Sequence, residues 1–244
     1  MSAVPQRAMV LCAGLGLRLL PLTKDRPKAL VEVGGKALID WTLDALAAAG
    51  VAEAIVNHHY LGDRLLAHLA NRKGSPEVTL SDETELLMDT GGGVVKALPL
   101  LGDGPFFIIN ADVVWTDGTL DTLRRMAAAW EPERMDALLL VAPKERAVGF
   151  GGPGDFFLES DNRLRRRKPA PEAPMIYASI QIATAAAFKD APEGPFSNNV
   201  IWDRALSRDR LFGIAHDGWW LDSGTVDGRD KAEAFLRELC HSEA

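Results

Sequence analysis

The feature that most constrains the fold is an apolar run near the N-terminus that leads into a glycine-containing loop. The run Met9–Cys12 has strand character, and Gly14 and Gly16 follow it. Glycine lets backbone N–H groups close on the phosphates of a ligand because no Cβ blocks the approach. Arg18 and Lys28 add positive charges that can converge on the same anion. The segment therefore predicts a binding site for a nucleoside triphosphate at the end of the first strand.

Two better-known phosphate loops are excluded by the same segment. A Walker-type loop needs Gly-Lys-Ser/Thr at a helix N-terminus, and no such triplet follows Gly16. A dinucleotide fingerprint needs a third glycine and a helix after the loop. Here the third glycine is missing, and Pro21 and Pro27 would break the helix. The loop therefore belongs to a different class of nucleotide site.

Strands and helices alternate along the first half of the chain. The hydrophobic pattern predicts helices over residues 37–49, 61–69, 120–130 and 226–239, and strands over residues 9–12, 54–56, 78–80, 106–109 and 137–141. This alternation predicts an α/β fold with a Rossmann-like, mostly parallel sheet and helices on both faces. Shorter strands are predicted over residues 156–158, 176–182, 211–215 and 219–221. We expect them to form a small β-rich insertion over the edge of the sheet.

Charge and composition limit the partners of the protein. A net charge of −7 and a pI near 5.3 argue against nucleic-acid binding, and an anionic substrate must be met by a local cluster of cations. No apolar run approaches the ~20 residues of a membrane span and no signal peptide precedes the first strand, so we expect a cytoplasmic protein without a membrane partner. Cys12 and Cys240 lie far apart in the sequence and indicate neither a disulfide framework nor a zinc site.

Two aspartates follow short apolar strands, where an α/β sheet binds its ligands. Asp112 closes Asn110-Ala111-Asp112 after the strand over 106–109, and Asp222 follows the strand over 219–221. Ligands of open α/β sheets lie outside the carboxyl ends of the strands. Because Mg²⁺ prefers one or two carboxylates together with substrate phosphates, Asp112 and Asp222 are candidate ligands of Mg²⁺.

A second glycine-rich element, Asp89-Thr90-Gly91-Gly92-Gly93, follows the strand over 78–80. The pattern predicts that these glycines open a helix over 94–98, with their bare N–H groups facing a ligand. A flat surface turn is the alternative.

The segment from Leu11 to Leu30 resembles the signature of the sugar-1-phosphate nucleotidyltransferases, L-x-A-G-x-G-x-R-L-x-P-L-T followed by P-K-x-L, and it matches every fixed position. The resemblance implies a fold of the nucleotide-diphospho-sugar transferase type, which is GT-A-like, and an enzyme of class EC 2.7.7. It implies Mg²⁺-dependent transfer of a nucleotidyl group from a nucleoside triphosphate to a sugar 1-phosphate. The implied products are a nucleoside diphosphate sugar and pyrophosphate.

The resemblance also implies roles for the matching residues. The implied catalytic residues are Arg18 and Lys28, which would neutralise the phosphates, and Asp112 and Asp222, which would bind Mg²⁺. The glycine-rich element would lie beside the nucleobase. The implied nucleotide contacts are Leu11, Ala13, Gly14, Gly16, Arg18, Gly91, Gly92 and Asn110.

The second half departs from the family at a residue that would face the sugar. Many relatives have a Glu-Lys-Pro triplet whose acid contacts sugar hydroxyls, whereas this chain has Arg167-Lys168-Pro169. A cation here would suit a sugar that bears its own carboxylate, with Arg167 as the first candidate to bind it and Arg166 as the second. For Arg165 and Arg166, a solvated hairpin with surplus charge is the alternative. With Ser179 standing where those relatives have a glycine, the implied sugar-phosphate contacts are Lys28, Arg167, Lys168 and Ser179.

Further motifs, among them Asn57-His58 and Gly152-x-Gly154-Asp155-Phe156, resemble the uridylyltransferases of N-acetylmuramate 1-phosphate, which are single-domain bacterial enzymes of cell-wall (peptidoglycan) recycling. That resemblance implies UTP and N-acetylmuramate 1-phosphate as substrates. It also implies one domain over residues 1–244, with a nucleotide-binding half (about 1–142), a sugar-binding half (about 143–225) and a C-terminal helix (226–244).

Two alternatives stay open. Mannose-1-phosphate guanylyltransferases, which use GTP, have similar motifs. A non-catalytic nucleotide-sugar-binding module of the same fold would be expected to lack one of Arg18, Lys28, Asp112 and Asp222, and this chain has all four. The sequence is compatible with a monomer and with a homodimer.

Overall fold

The computed structural model describes residues 3–242 and is built around one mixed sheet of nine strands. The strands of the described chain are β1 (Arg7–Leu11), β2 (Glu32–Val33), β3 (Lys36–Ala37), β4 (Glu53–His58), β5 (Glu77–Asp82), β6 (Phe106–Asn110), β7 (Val113–Trp115), β8 (Ala137–Pro143), β9 (Ala147–Val148), β10 (Phe156–Leu158), β11 (Leu164–Arg166), β12 (Met175–Ala183), β13 (Leu211–Ala215) and β14 (Trp220–Asp222). The helices are α1 (Leu38–Ala49), α2 (Gly62–Ala70), α3 (Asp89–Leu101), α4 (Thr122–Ala129), α5 (Asn199–Leu206) and α6 (Val226–Ser242).

The central sheet has the order β11-β10-β12-β6-β1-β4-β5, and β8 pairs with both β12 and β13. Strand β1 runs parallel to β4 and β6, with Val10 opposite Val56 and Ile109. The direction reverses at β12, which pairs antiparallel with β6 and β8. The predicted α/β fold is confirmed: the sheet is parallel through the first half of the chain and carries helices on both faces.

The two faces of the sheet have separate hydrophobic cores, because side chains alternate along each strand. Ala8 and Val10 of β1 pack in a core with apolar residues of α1, α2 and α4, whereas Met9 packs in a core with residues of α3 and α5. The uninterrupted apolar run in β6 follows from burial on both faces. Among the described residues no helix is long and apolar enough to cross a membrane.

The strands of the second half continue the central sheet, whereas the sequence predicts an insertion over its edge. Alternate residues of β12, among them Ile176, Ala178, Ile180 and Ile182, are buried in the same core as β1. Strand β12 can therefore pair with β6 and extend the sheet.

A small separate sheet, β7-β14-β9, lies beside the carboxyl ends of the parallel strands. In the antiparallel pair of β14 with β7, Asp222 stands opposite Val113. Because Val113 directly follows Asp112, this register brings the two predicted metal ligands together from positions 110 residues apart in sequence (112 and 222).

Helix α3 begins five residues earlier than predicted, at Asp89, so the three glycines lie inside its first turns. The prediction that the bare N–H groups of Gly91 and Gly92 face a ligand is wrong, because both donate to the carbonyl oxygen of Phe196, at 2.8 and 3.1 Å. A Cβ on Gly91 would overlap the Phe196 ring and lie 2.9 Å from the Phe196 carbonyl oxygen. The glycines therefore let residues 194–198, which we call the Phe196 loop, pack directly on the helix.

Replacing Gly91 by alanine tests this packing. Alanine normally favours a helix over glycine by about 1 kcal/mol, but here its Cβ would overlap Phe196. We expect Gly91→Ala to lower the free energy of unfolding in urea by about 1–3 kcal/mol, the usual cost of overpacking. The control is Gly104→Ala, where a Cβ meets nothing within 4 Å. Equal stabilities of the two variants would mean that the Phe196 loop moves away from the added Cβ without a measurable cost in free energy.

Candidate active site

Two adjoining cavities open where the parallel strands of the sheet end. The first cavity, of about 400 Å³, is lined by the loop after β1, by the end of β4 and by the start of α3. The second cavity, of about 350 Å³, is lined mainly by residues of the second half. Both include Thr90, Asn110 and Asp112 in their walls. The two cavities therefore meet at Asp112.

The loop after β1 forms part of the wall of the first cavity through Leu11, Ala13 and Gly14. A Cβ on Gly14 would meet nothing within 4 Å, so space is open beside its backbone. Gly16 lies outside the walls of both cavities and has a shaping role instead. Its φ of +65° favours glycine, and its carbonyl accepts a 2.8 Å hydrogen bond from Thr23 Oγ1 that closes the turn.

A buried hydrogen-bond network that the sequence analysis missed supports this loop. Asn57 Oδ1 accepts from the Cys12 N–H at 2.6 Å, and Asn57 Nδ2 donates to Glu83 Oε1 at 2.7 Å. Glu83 is fully buried, and its other oxygen accepts from the Met88 N–H at 3.0 Å. These bonds compensate the cost of burying a carboxylate. Asn57 lies near the end of β4, so the strand-end rule that identified Asp112 could have given this residue a role at the site.

Asp112 and Lys28 form a direct ion pair at the junction of the cavities, with side chains that are 19% and 17% exposed. The pair uses Oδ2 of Asp112, while Oδ1 is buried and has no hydrogen-bond partner among the described residues. A buried carboxylate oxygen without a partner costs free energy. This orphaned oxygen is the kind of group that a bound cation would satisfy.

Asp222 lies close to this pair. A Cβ placed on Gly224 would lie 3.0 Å from Asp222 Oδ1 and 3.5 Å from Asp112 Oδ2, so both carboxylates border the same small space. Burial raises the pKa of Asp222, and the negative charge of Asp112 raises it further, against the Gly224 N–H bond and the charges of Arg18 and Lys28. The charge of Asp112 therefore disfavours the ionised form of Asp222.

The donor set fits Mg²⁺. Among residues 3–242 no group of three or more His, Cys, Asp or Glu side chains could hold a metal ion, but Mg²⁺ in phosphate-transferring sites is commonly bound by one or two carboxylates together with substrate phosphates. Asp112 and Asp222 supply two hard oxygen donors, one of them with an unsatisfied buried atom. A divalent cation between them would relieve their repulsion.

Arg18 is exposed and lines the second cavity, whereas Lys28 lines the first. A Cβ on Gly224 would lie 3.1 Å from Nη2 of Arg18, which places the guanidinium beside the two carboxylates. The structure thus brings Arg18, Lys28, Asp112 and Asp222 together, as the sequence predicts for the catalytic residues, although their roles stay predictions.

The residues that line the second cavity differ from those that the sequence predicts to contact the sugar phosphate. Arg167 is absent from the cavity wall, because its guanidinium donates to the carbonyl oxygens of Gly154, Ala170 and Pro171. It therefore holds the loop after β11. Lys168 is exposed and also lies outside the wall.

Ser179 does line the second cavity, as predicted, with a φ of +65° at an irregularity in the pairing of β12 with β8. A left-handed backbone explains why a glycine is common here in the family that the sequence resembles. The wall also contains Arg166, the second candidate for the sugar's carboxylate, and residues that sequence reasoning did not assign to the sugar, which are Phe150, Asp155, Phe156, Tyr177, Asn198 and Trp202.

The chain is similar to known nucleotidyltransferases over its full length. The model of the nucleotidyl transferase family matches residues 7–152. An N-acetylmuramate alpha-1-phosphate uridylyltransferase of Caulobacter vibrioides is 44% identical over 98% of this chain and 100% of that one, and one of Neisseria meningitidis is 32% identical over 94% and 97%. A crystal structure of UDP-glucose pyrophosphorylase complexed with UDP-glucose has a TM-score of 0.74 at 17% identity and covers 96% of this chain and 99% of that chain.

The central sheet and the adjoining cavities at its strand ends define an α/β protein, and its fold is the one found in that structure. The chain belongs to the nucleotidyl transferase family, as a sugar-1-phosphate nucleotidyltransferase. The resemblance found in the sequence is thereby confirmed.

Removing the Asp222 charge should stabilise the protein in a metal-free buffer. The unfolded chain loses this proton near the ordinary pKa of 3.8, whereas the folded protein, with a raised pKa, holds it to higher pH. Ionisation therefore costs stability as the pH rises above 3.8. We expect the Tm of Asp222→Asn to exceed that of the wild type at pH 7 in EDTA, with a difference that closes toward pH 3. A Tm difference that does not change with pH would mean that the packing of the introduced asparagine side chain, and not the loss of charge, causes the effect.

Proposed function

We propose that this enzyme transfers UMP from UTP to N-acetylmuramate 1-phosphate, with Mg²⁺, and releases pyrophosphate. The observation that carries the proposal is the full-length similarity to two proteins named for that activity. The two cavities, which adjoin at Asp112, offer separate places for a nucleotide and a sugar phosphate. A role in cell-wall recycling is part of the same proposal.

The reaction needs charge neutralisation more than proton transfer. A phosphate oxygen of the sugar 1-phosphate attacks the α-phosphorus of the triphosphate, and the bond to the bridging oxygen of the leaving pyrophosphate breaks. Because the nucleophile is already an anion, no general base is required. The barrier arises from bringing two polyanions together, so positioning and fixed positive charges supply the catalysis.

The residues at the junction of the cavities suit this task. Lys28 exchanges its partner Asp112 for a phosphate oxygen near the reacting phosphorus. Arg18, on the other side, faces charge that develops on the phosphates. Asp112 and Asp222 would hold Mg²⁺, which supplies Lewis-acid neutralisation of the phosphates when bound. The backbone beside Gly14 leaves room for close approach of the triphosphate.

We also place the protein in the cytoplasm. Cys12 and Cys240 are free thiols in the structure, which suits a reducing compartment.

A pyrophosphate-release screen tests the assignment. UTP, GTP, dTTP and CTP are each paired with the 1-phosphates of N-acetylmuramate, mannose and glucose. We expect UTP with N-acetylmuramate 1-phosphate to have the highest kcat/KM. Preference for GTP with mannose 1-phosphate would favour the guanylyltransferase alternative, and no turnover with any pair would favour the binding module.

Asp112→Asn should reduce kcat on the order of 10²-fold or more at saturating Mg²⁺. The change removes one unit of charge from the metal site, and a few kcal/mol of transition-state stabilisation correspond to a factor of this size. Asp103→Asn, in the exposed loop that precedes β6, is the matched control and should retain wild-type kcat. A near-wild-type rate for Asp112→Asn would show that the carboxylate is structural.

A further inference from the structure

We propose that Arg166 recognises the lactyl carboxylate of N-acetylmuramate 1-phosphate, an inference that rests on the proposed function. N-acetylmuramate differs from N-acetylglucosamine by a lactyl ether that carries a carboxylate. An enzyme that selects it needs a cation in the sugar cavity, away from the phosphates. Of the described residues that line the second cavity, only Arg18 and Arg166 are cationic, and Arg18 lies beside the Asp112–Asp222 junction.

The strand register turns Arg166 into the cavity. In the antiparallel pair of β10 with β11, Arg166 stands opposite Phe156, and both residues line the second cavity. Arg165 projects from the other face of the strand because side chains alternate. It lies over the Phe157 ring at 4.2 Å and pairs with Glu159 at 3.0 Å. Arg166 therefore lines the second cavity, whereas Arg165 lies on the protein surface.

Aromatic rings orient the Arg166 guanidinium. Its carbon lies 5.1 Å from the ring centroid of Phe156 and 5.6 Å from that of Trp202, and the side chain is 30% exposed. Trp202 is itself fixed by a 2.7 Å hydrogen bond from its ring nitrogen to Gln181. A guanidinium held against rings loses less rotational freedom when it binds a carboxylate than a free side chain does.

The hydrogen bonds of Arg166 leave donors for a ligand. Nε and Nη2 both donate to one oxygen of Asp203, at 3.0 and 2.6 Å, whereas Nη1 has no acceptor among the residues that the structure describes. Asp203 is 64% exposed, and exposed ion pairs contribute little to stability. A substrate carboxylate can therefore displace Asp203 at small cost and also accept a hydrogen bond from Nη1.

Acidic groups around the cavity make this cation more selective. Asp112, Asp155 and Asp222 line the same cavity, and Asp155 is engaged by a 2.9 Å hydrogen bond from the Tyr177 N–H. A carboxylate placed near any of these groups would be repelled. The geometry thus permits a sugar carboxylate in one part of the cavity, against Arg166.

The test compares N-acetylmuramate 1-phosphate with its derivative in which the lactyl carboxyl is amidated, a neutral substrate of nearly the same size. The kcat/KM of each is measured with UTP. A charge-assisted hydrogen bond corresponds to about 10- to 150-fold, so we expect the wild type to prefer the carboxylate by that ratio. In Arg166→Gln the ratio should collapse toward one, and Arg166→Lys, which keeps the charge without the planar fork, should retain part of it.

Arg165→Gln is the matched control and should keep the wild-type ratio, since its side chain lies on the opposite face. Thermal unfolding checks that each variant is folded. If Arg166→Gln does not fold, the ratio measured for Arg166→Lys is used instead. A full wild-type ratio in the tested Arg166 variant would overturn the assignment, as would a wild type that uses both substrates equally. A wild type that uses neither would instead refute the proposed function.

Discussion

The ion pair of Lys28 with Asp112 is the interaction on which the site depends. It lies where the two cavities meet, in a place too buried for either charge to remain without a partner. The parallel pairing of β1 with β6 positions the segments that carry both residues, and the β7–β14 pair brings Asp222 alongside. In the proposed reaction, the substrate's phosphates take Lys28, so Asp112 loses its counter-charge as more anions arrive. Asp112 and Asp222 would then hold a divalent cation, which would supply that charge.

A chain of hydrogen bonds links the first cavity to the second. It runs from the Cys12 N–H through Asn57 and Glu83 to Met88 at the start of α3. From there the Met88 carbonyl accepts from the Phe196 N–H, and Thr90 Oγ1 accepts from the Asn198 N–H at 2.9 Å. Asn198 lines the second cavity, whereas Asn57 and Glu83 line the first. The walls of both cavities are thus parts of one bonded framework.

The sequence predicted features that depend on local rules and missed those that depend on distant contacts. The strand-end rule located Asp112 and Asp222, and the predicted α/β sheet is confirmed because hydrophobic periodicity is a local signal. Gly91 was misinterpreted because its N–H is bound by Phe196, about 100 residues further along the chain. The sequence favoured Arg167 over Arg166 because a family motif gives the position of a residue along the chain but not the side of the strand from which its side chain projects. The register of β11 against β10 determines that side.

Net charge and local charge act in opposite directions in this enzyme. The chain carries −7 overall, yet its substrates are anions. Two of the cations that line the cavities are already paired, Lys28 with Asp112 and Arg166 with Asp203. In the proposed reaction, substrate binding would therefore exchange the partners of these cations without exposing new charge. Only an anion that fits the geometry better than the protein's own carboxylate gains from that exchange, so the pairing works against weakly fitting anions. Arg18 has no ion-pair partner among the described residues, and it can attract a phosphate before any such exchange begins.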